Sequence, residues 1–130
     1  MLFPREVGVV SWSHAGQAAT YEEIPKEWRE KVATTSRDRR AFGVTVEGDC
    51  MEPKYLHGDI LIVEPLHEPR NGKAVVAKLK DDAVQVRIYH KMPGGKIRLA
   101  SMKPEIYPTL DYAAADFHWI WPVHSMVRKE

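Results

Sequence analysis

Cysteine is nearly absent from this sequence, which contains a single one, Cys50. No disulfide can therefore form within the chain, and this is typical of a protein from a reducing compartment. The sequence also lacks the run of roughly 20 apolar residues that a membrane-spanning helix needs, and its first residues do not form a secretion signal. We therefore expect a soluble, cytoplasmic protein that does not contact a membrane.

An excess of one charge is missing too, because 19 Lys and Arg residues are balanced by 18 Asp and Glu residues. This balance argues against the basic stripe that is typical of a nucleic-acid-binding domain. The six histidines are scattered without ligand spacing, and the sequence has neither a glycine-rich phosphate loop nor a Gly-x-Ser-x-Gly motif. We therefore expect no metal and no cofactor.

Short apolar or alternating segments, separated by turn residues, make up much of the chain. We predict strands at residues 7–13, 41–47, 59–64, 73–79, 83–89, 96–100 and 117–127, the last one kinked at Pro122. The segments 73–79 and 83–89 should form a hairpin, and the unbroken apolar run at 60–63 indicates a strand that is buried on both faces. About seven short strands with little helix predict a mostly β fold, either a partly open barrel or a sandwich.

The remaining segments have weaker patterns. Residues 22–33 are predicted to form a short helix, because apolar residues recur every four positions and Pro25 suits a first turn. Residues 14–19 are small and flexible, and they form either a plain connection or a peptide that another part of the protein holds extended. Two prolines make residues 101–116 irregular. Trp119 and Trp121 lie on one side of the last strand, as core or interface anchors.

The chain changes direction sharply within residues 44–63, between an alternating strand and a fully apolar one. The first strand breaks at Gly48 and Asp49, and Cys50 follows the break directly. A reactive side chain just after a strand-ending glycine lies at an exposed corner on a rigid base, which is a common way to present a nucleophile. Cys50 is either such a nucleophile or a small, buried hydrophobic residue.

Two linked motifs surround this corner: Val46-Glu47-Gly48-Asp49-Cys50-Met51-Glu52-Pro53, and then Gly58-Asp59-Ile60-Leu61-Ile62-Val63-Glu64-Pro65. They resemble the signature of the LexA/phage-repressor/UmuD self-cleaving peptidases. That signature is Val-x-Gly-Asp-Ser-Met-x-Pro, followed by Gly-Asp, two hydrophobic residues and x-Val-x-Pro. Residues 72–79, 95–99 and 103–108 resemble later segments of the family. Residues 9–18 resemble its cleavage-site region, with Ala15 and Gly16 at the scissile bond.

The resemblance covers almost the whole chain and implies one LexA-like peptidase domain over residues 1–130. Residues 1–20 would hold a strand and the cleavage-site-like segment, and residues 41–130 the catalytic core. In this family a serine hydroxyl attacks the scissile carbonyl, and a buried, neutral lysine accepts its proton. The resemblance also implies a homodimer and a recombinase filament (RecA-like) that stimulates cleavage. It further implies DNA binding only through an N-terminal helix-turn-helix domain, which this sequence does not contain.

The sequence departs from the family pattern at both catalytic positions. Cys50 occupies the serine position, and Arg87 occupies the lysine position when one extra residue is allowed in the turn at 80–82. The ungapped alternative, Val86, has no group that accepts a proton. Arginine stays protonated at ordinary pH and cannot act as a general base, whereas a guanidinium beside a thiol favours the thiolate form.

Three functional hypotheses follow from these departures. We favour the dimerising, regulatory C-terminal domain of a phage-type transcriptional repressor, of the kind that acts in the SOS response, with its self-cleavage impaired. The second hypothesis is an active peptidase that cuts its own Ala15–Gly16 bond with Cys50 as the nucleophile, or that uses Cys50 as a thiol sensor. The third is a UmuD-like accessory subunit of a translesion polymerase.

Overall fold

The computed structural model describes residues 5–25, 29–81 and 84–128. The regular structure in these residues is mainly strand: β1 (Arg5–Val10), β2 (Lys31–Thr34), β3 (Phe42–Thr45), β4 (Ile60–Val63), β5 (Ala74–Leu79), β6 (Val84–Lys91), β7 (Lys96–Ala100), β8 (Leu110–Ala113) and β9 (Phe117–Val127). The helical elements are a short α-helix, α1 (Trp12–Gln17), and the 3-10 turns Tyr21–Glu23, Pro93–Gly95 and Ala114–Asp116. The mostly β fold predicted from the sequence is confirmed.

The strands form one sheet in the order β2-β1-β3-β4-β9-β5-β6-β7-β8. β1 is parallel to β3, and the other described pairings are antiparallel. β9 joins the two halves of the sheet, because residues 117–122 pair with β5 and residues 123–127 pair with β4. The change of partner falls at Pro122, where the backbone has no N–H to donate to a neighbouring strand.

Apolar clusters cover both faces of this sheet. All four residues of β4 are buried, as the unbroken apolar run predicts. Leu61 and Val63 pack into the largest cluster, whereas Ile60 and Ile62 pack with Val7 into a separate one. The hairpin of β5 and β6 is confirmed as well, with Val76 opposite Val86 in the register.

Aromatic side chains fill the centre of the largest cluster. The rings of Trp119 and Trp121 are stacked, with their centroids 4.0 Å apart, and Phe42 meets Trp121 edge-on at 5.7 Å. These three side chains are buried. Within this chain, the two tryptophans of β9 are therefore core anchors.

The helix predicted at residues 22–33 is wrong. Residues 21–23 form a single 3-10 turn, and Lys31–Thr34 is strand β2, which pairs with β1 in an antiparallel register. Trp28 lies outside the described residues. The four-residue spacing was outweighed by the β-branched Val32 and Thr34, whose side chains suit a pleated strand, and by the free edge that β1 offers.

The segment after β1 also differs from the prediction. The strand ends at Val10, and residues 12–17 form helix α1 instead of a flexible or extended peptide. The side chain of Ser11 caps the helix by accepting a hydrogen bond from the backbone N–H of His14 (3.1 Å). The irregular segment 101–116 contains a further strand, β8, which pairs with β7. No described helix has the length and apolar character that a membrane span requires.

Candidate active site around Cys50 and Arg87

Backbone hydrogen bonds hold the turn that carries Cys50. Val46 N–H donates to the carbonyl of Asp59 (2.8 Å), and Gly58 N–H donates to the carbonyl of Val46 (2.8 Å), so the ladder of β3 and β4 continues past both strands. Gly48 has a φ of 92°, a left-handed conformation that glycine adopts at little cost. The turn therefore leaves the sheet at a fixed position.

Of the residues that follow Gly48, some are anchored in the core and others are exposed. Met51 is buried in the largest apolar cluster, and its carbonyl accepts a hydrogen bond from Tyr55 N–H (3.0 Å). Cys50 is half-buried at the edge of the same cluster, and Pro53 is exposed after a cis peptide bond. Met51 thus anchors the turn in the core, and the Cys50 thiol lies at the surface of that core.

A buried carboxylate fixes the far end of the turn. Asp59 accepts two hydrogen bonds from Arg128, at 3.0 Å from Nε and 2.8 Å from Nη2, and a third from the backbone N–H of Leu56 (2.7 Å). The bonds from Arg128 hold the pKa of Asp59 below its ordinary value, against the effect of burial. This pair joins the end of β9 to the turn before β4, and sequence reasoning did not find it.

The Arg87 guanidinium lies against the Cys50 thiol. Nη1 of Arg87 is 3.0 Å from Sγ of Cys50, and the same nitrogen donates to the carbonyl of Val86 (2.8 Å). The guanidinium carbon also lies 5.7 Å from the ring centre of Tyr107. Val86 itself is fully buried in the core. The group that the strand presents to Cys50 is therefore a permanent cation, which can donate hydrogen bonds but cannot accept a proton.

A second polar network ties the segment 101–107 to the Cys50 turn. Tyr107 Oη donates to Oδ1 of Asp49 (2.6 Å), and Lys103 Nζ donates to Oδ2 of Asp49 (3.1 Å) and to Glu52 (3.2 Å). The backbone N–H of Met102 donates to the carbonyl of Cys50 (3.2 Å). These bonds position the surface around the thiol. Apart from the family-like segment 103–108, no sequence pattern predicts them.

Ionisation in this network keeps Lys103 from acting as a replacement base. The hydrogen bonds from Tyr107 and then from Lys103 lower the pKa of Asp49. In return, Asp49 and then Glu52 raise the pKa of Lys103, and Asp49 raises the pKa of Tyr107. Lys103 is therefore a fixed ammonium at neutral pH. It does not offer the neutral amine that proton abstraction requires.

The cleavage-like segment is folded into helix α1. Ala15 is completely buried, its N–H donates to the carbonyl of Ser11 (3.1 Å), and its carbonyl accepts from Ala18 N–H (3.3 Å). A Cβ placed on Gly16 would lie 3.6 Å from the side chain of Val84, at the start of β6. The segment is thus packed on the strand that carries Arg87, in a helical conformation.

Comparison with known proteins assigns the fold and the motifs to a family. A sequence model described as Peptidase S24-like matches residues 8–123, which include the Cys50 turn, β6 and most of β9. The chain belongs to the Peptidase S24-like family. This confirms the family that the motifs around Cys50 predicted.

Proteins similar to this Peptidase S24-like chain are transcriptional regulators. Repressor protein C2 of Salmonella phage P22 is 32% identical over 112 residues, 79% of this chain and 50% of that protein. A LexA repressor of Desulfatibacillum aliphaticivorans is 36% identical over 94 residues, 68% and 44% of the two chains. The HTH-type transcriptional regulator PrtR of Pseudomonas aeruginosa is 29% identical over 110 residues, which are 78% of this chain and 41% of that protein. The chain spans half or less of the length of these relatives.

We expect the substitution Tyr107→Phe to raise the pKa of Asp49 in this Peptidase S24-like chain, because it removes the shortest hydrogen bond to that carboxylate. An Asp pKa that is lowered in the folded state stabilises the fold above its ordinary pKa, and this stabilisation is lost as the pH falls through the folded pKa. The variant should therefore lose less stability on acidification. Carbon-13 NMR titration of the carboxyl groups measures the shift. Tyr89→Phe is the control. An unchanged pKa of Asp49 in Tyr107→Phe would contradict the hydrogen bond from Tyr107 as the cause of the lowered pKa.

Proposed function

We propose that this chain is the regulatory domain of a phage-type transcriptional repressor, that it forms a homodimer, and that it does not cut itself at a useful rate. Membership of the Peptidase S24-like family and the similarity to repressors support the regulatory role. One contact carries the proposal that self-cleavage is impaired. Nη1 of Arg87 lies 3.0 Å from Sγ of Cys50, where a peptidase of this kind needs a proton acceptor.

The chemistry of that contact argues against self-cleavage. A nucleophile that attacks a peptide carbonyl needs a general base, which typically contributes a factor of about 10²–10⁴ to the rate. The guanidinium of Arg87 holds its proton at any ordinary pH. The ammonium of Lys103 is bound by Asp49 and Glu52, so it does not supply a base either. Neither side chain is able to accept a proton from Cys50.

The conformation of the proposed scissile bond supports the same conclusion. The carbonyl of Ala15 accepts a hydrogen bond within the helical segment, and the residue is 0% exposed. A nucleophile must approach a carbonyl carbon from within about 3.5 Å along an open face. The bond between Ala15 and Gly16 therefore has to leave helix α1 before Cys50 attacks it.

One observation favours a second candidate, slow cleavage with Cys50 as the nucleophile. The thiol is half-buried rather than sealed in the core, and among the described residues it receives a hydrogen bond from a cation, Arg87. Cysteine is a stronger nucleophile than serine and depends less on a separate base. In this candidate, Arg87 orients the thiol and the carbonyl of Ala15 reaches it after α1 unwinds.

Incubation of the unchanged chain at alkaline pH separates these two candidates. We expect its intact mass to stay at 14.9 kDa, and we expect light scattering on a sizing column to give twice this mass. A fragment that begins at Gly16 would overturn the proposal of impaired cleavage, provided that Cys50→Ala stays whole. A monomer at micromolar concentration would contradict the proposed homodimer without affecting the conclusion on cleavage.

A further inference from the structure

A cleft whose lining includes neither Cys50 nor Arg87 lies between the loop after β4, the start of β5 and the middle of β9. Its volume is about 650 Å³, within the range of about 300–1,000 Å³ that is typical of small-molecule sites. Its charged and titratable lining residues are Lys54, Tyr55, Glu64, His67, Glu68, Arg70, Lys73 and His124. Neither the fold nor the proposed repressor role accounts for this concentration of charge.

The lysine and arginine side chains of the cleft are Lys54, Arg70 and Lys73. Within the described residues, Lys54, Arg70 and Lys73 form no ion pair. Glu64 accepts a hydrogen bond from Ser36 Oγ (2.6 Å), a neutral donor that leaves the charge of the carboxylate in place. The cleft lining therefore carries three cations, Lys54, Arg70 and Lys73, against the two carboxylates Glu64 and Glu68, so positive charge exceeds negative charge by one.

A fourth donor is held in place by a buried carboxylate. Nδ1 of His67 donates to Oδ2 of Asp38 (2.9 Å), and that oxygen also accepts from the backbone N–H of Leu66 (2.8 Å). The Asp38 side chain is 0% exposed, whereas that of His67 is 51% exposed. Asp38 therefore orients the imidazole. The remaining ring nitrogen has no hydrogen-bond partner in the part of the chain that the structure describes, so it is available to a ligand in the cleft.

The charges around His67 favour its protonated form. The hydrogen bond to Asp38 raises the pKa of His67 above its ordinary value, the nearby Glu64 adds to this increase, and Arg70 opposes it. Glu68 and a second histidine, His124, also line the cleft. Asp38 balances the charge of a protonated His67, and protonation makes the second ring nitrogen of His67 a hydrogen-bond donor.

We propose that this cleft binds a small oxyanion with two or more negative charges, a phosphorylated compound or a polycarboxylate. Lys54, Arg70, Lys73 and His67 would hold the anionic groups, since a guanidinium and ammonium groups form short, charge-assisted hydrogen bonds with such oxygens. Apolar surface on Tyr55 and Pro122 would contact the rest of the ligand. This ligand site is independent of the Cys50 chemistry, so its test does not depend on the proposed function.

Calorimetry with inorganic pyrophosphate and with citrate tests the proposal and distinguishes the two oxyanion types. We expect at least one of them to bind, and we expect the double variant Lys54→Gln/Arg70→Gln to weaken binding by at least about tenfold. The matched control Lys31→Gln/Lys96→Gln removes two exposed cations outside the cleft and should change the dissociation constant by less than about twofold. Amide NMR shifts on titration should concentrate in residues 54–55, 64–74 and 122–124. Thermal melting shows that each variant is folded.

The pH dependence of binding identifies the contribution of His67. Binding should be tighter at about pH 6 than at about pH 8, because the protonated imidazole donates to the anion. His67→Gln should remove most of this difference, whereas His124→Gln should retain it. The proposal is overturned if neither anion binds, if the control variant loses as much affinity as the cleft variant, or if the NMR shifts fall elsewhere. If duplex DNA binds through the same cations more tightly than either small anion does, the cleft is a nucleic-acid-binding surface and the proposal of a small-oxyanion site is wrong.

Discussion

The double variant Cys50→Ser/Arg87→Lys should cut itself between Ala15 and Gly16 under alkaline conditions in which the unchanged chain stays whole. Arg87 Nη1 already lies 3.0 Å from the nucleophile position, so a lysine on the same strand position can bring an amine to the serine hydroxyl. High pH deprotonates this amine, which then accepts the hydroxyl proton. We expect an increase in rate of about 10²–10⁴, the usual contribution of a general base. Intact-mass spectrometry measures the fraction cut over time.

Three variants control this experiment. Cys50→Ser alone retains the arginine and should stay whole, because the hydroxyl has no proton acceptor. Cys50→Ser/Val86→Lys places the amine at the ungapped position, where the native side chain is fully buried in the core, and it should also fail to cut. Cutting by this variant instead of the Arg87→Lys variant would move the base position to 86. If no variant is cut, the site or the scissile bond is misassigned.

Local sequence pattern was sufficient for the central strands. β4 is a continuous apolar run and is buried on both faces. In β6 the alternation places the buried Val84 and Val86 on one face and the half-buried Gln85 and Arg87 on the other, and it breaks at the buried Tyr89. The family pattern, with one extra residue allowed in the turn at 80–82, led to Arg87 rather than Val86 as the partner of Cys50, and the two side chains lie in contact. In these two elements an unbroken apolar run or a period of two indicates which residues are buried, and this information is local.

Long-range contacts determine the parts that the sequence did not reveal. Helix α1 depends on the burial of Ala15 and on Trp119, whose Nε1–H donates to the carbonyl of Ala18 from 101 positions along the chain (2.9 Å). The network of Asp49 with Tyr107 joins residues that are 58 positions apart (2.6 Å). Such tertiary contacts outweigh the weak local preferences of small or irregular segments, which carry no periodic signal.

The substitution Trp119→Ala should be among the most destabilising in the chain. The side chain is buried, stacks on Trp121 with centroids 4.0 Å apart, and donates the hydrogen bond to Ala18. We expect the free energy of unfolding to fall by about 3–5 kcal/mol, the usual loss when a buried aromatic residue is truncated. Urea denaturation followed by fluorescence measures this change. His118→Ala, at an exposed position on the same strand, should stay within about 0.5 kcal/mol of the unchanged chain.

The milder substitution Trp119→Phe separates packing from the hydrogen bond to Ala18. It keeps an aromatic ring but leaves the Ala18 carbonyl without the donor that Trp119 supplies. We expect the free energy of unfolding to fall by about 1–3 kcal/mol. This loss should be concentrated near helix α1, so hydrogen exchange should accelerate at residues 14–18 more than in β4.

In the Cys50→Ser/Arg87→Lys background the same change should speed self-cleavage, because the bond after Ala15 must leave its helix to react. Slower cleavage would instead mean that the docked helix is the reactive conformation.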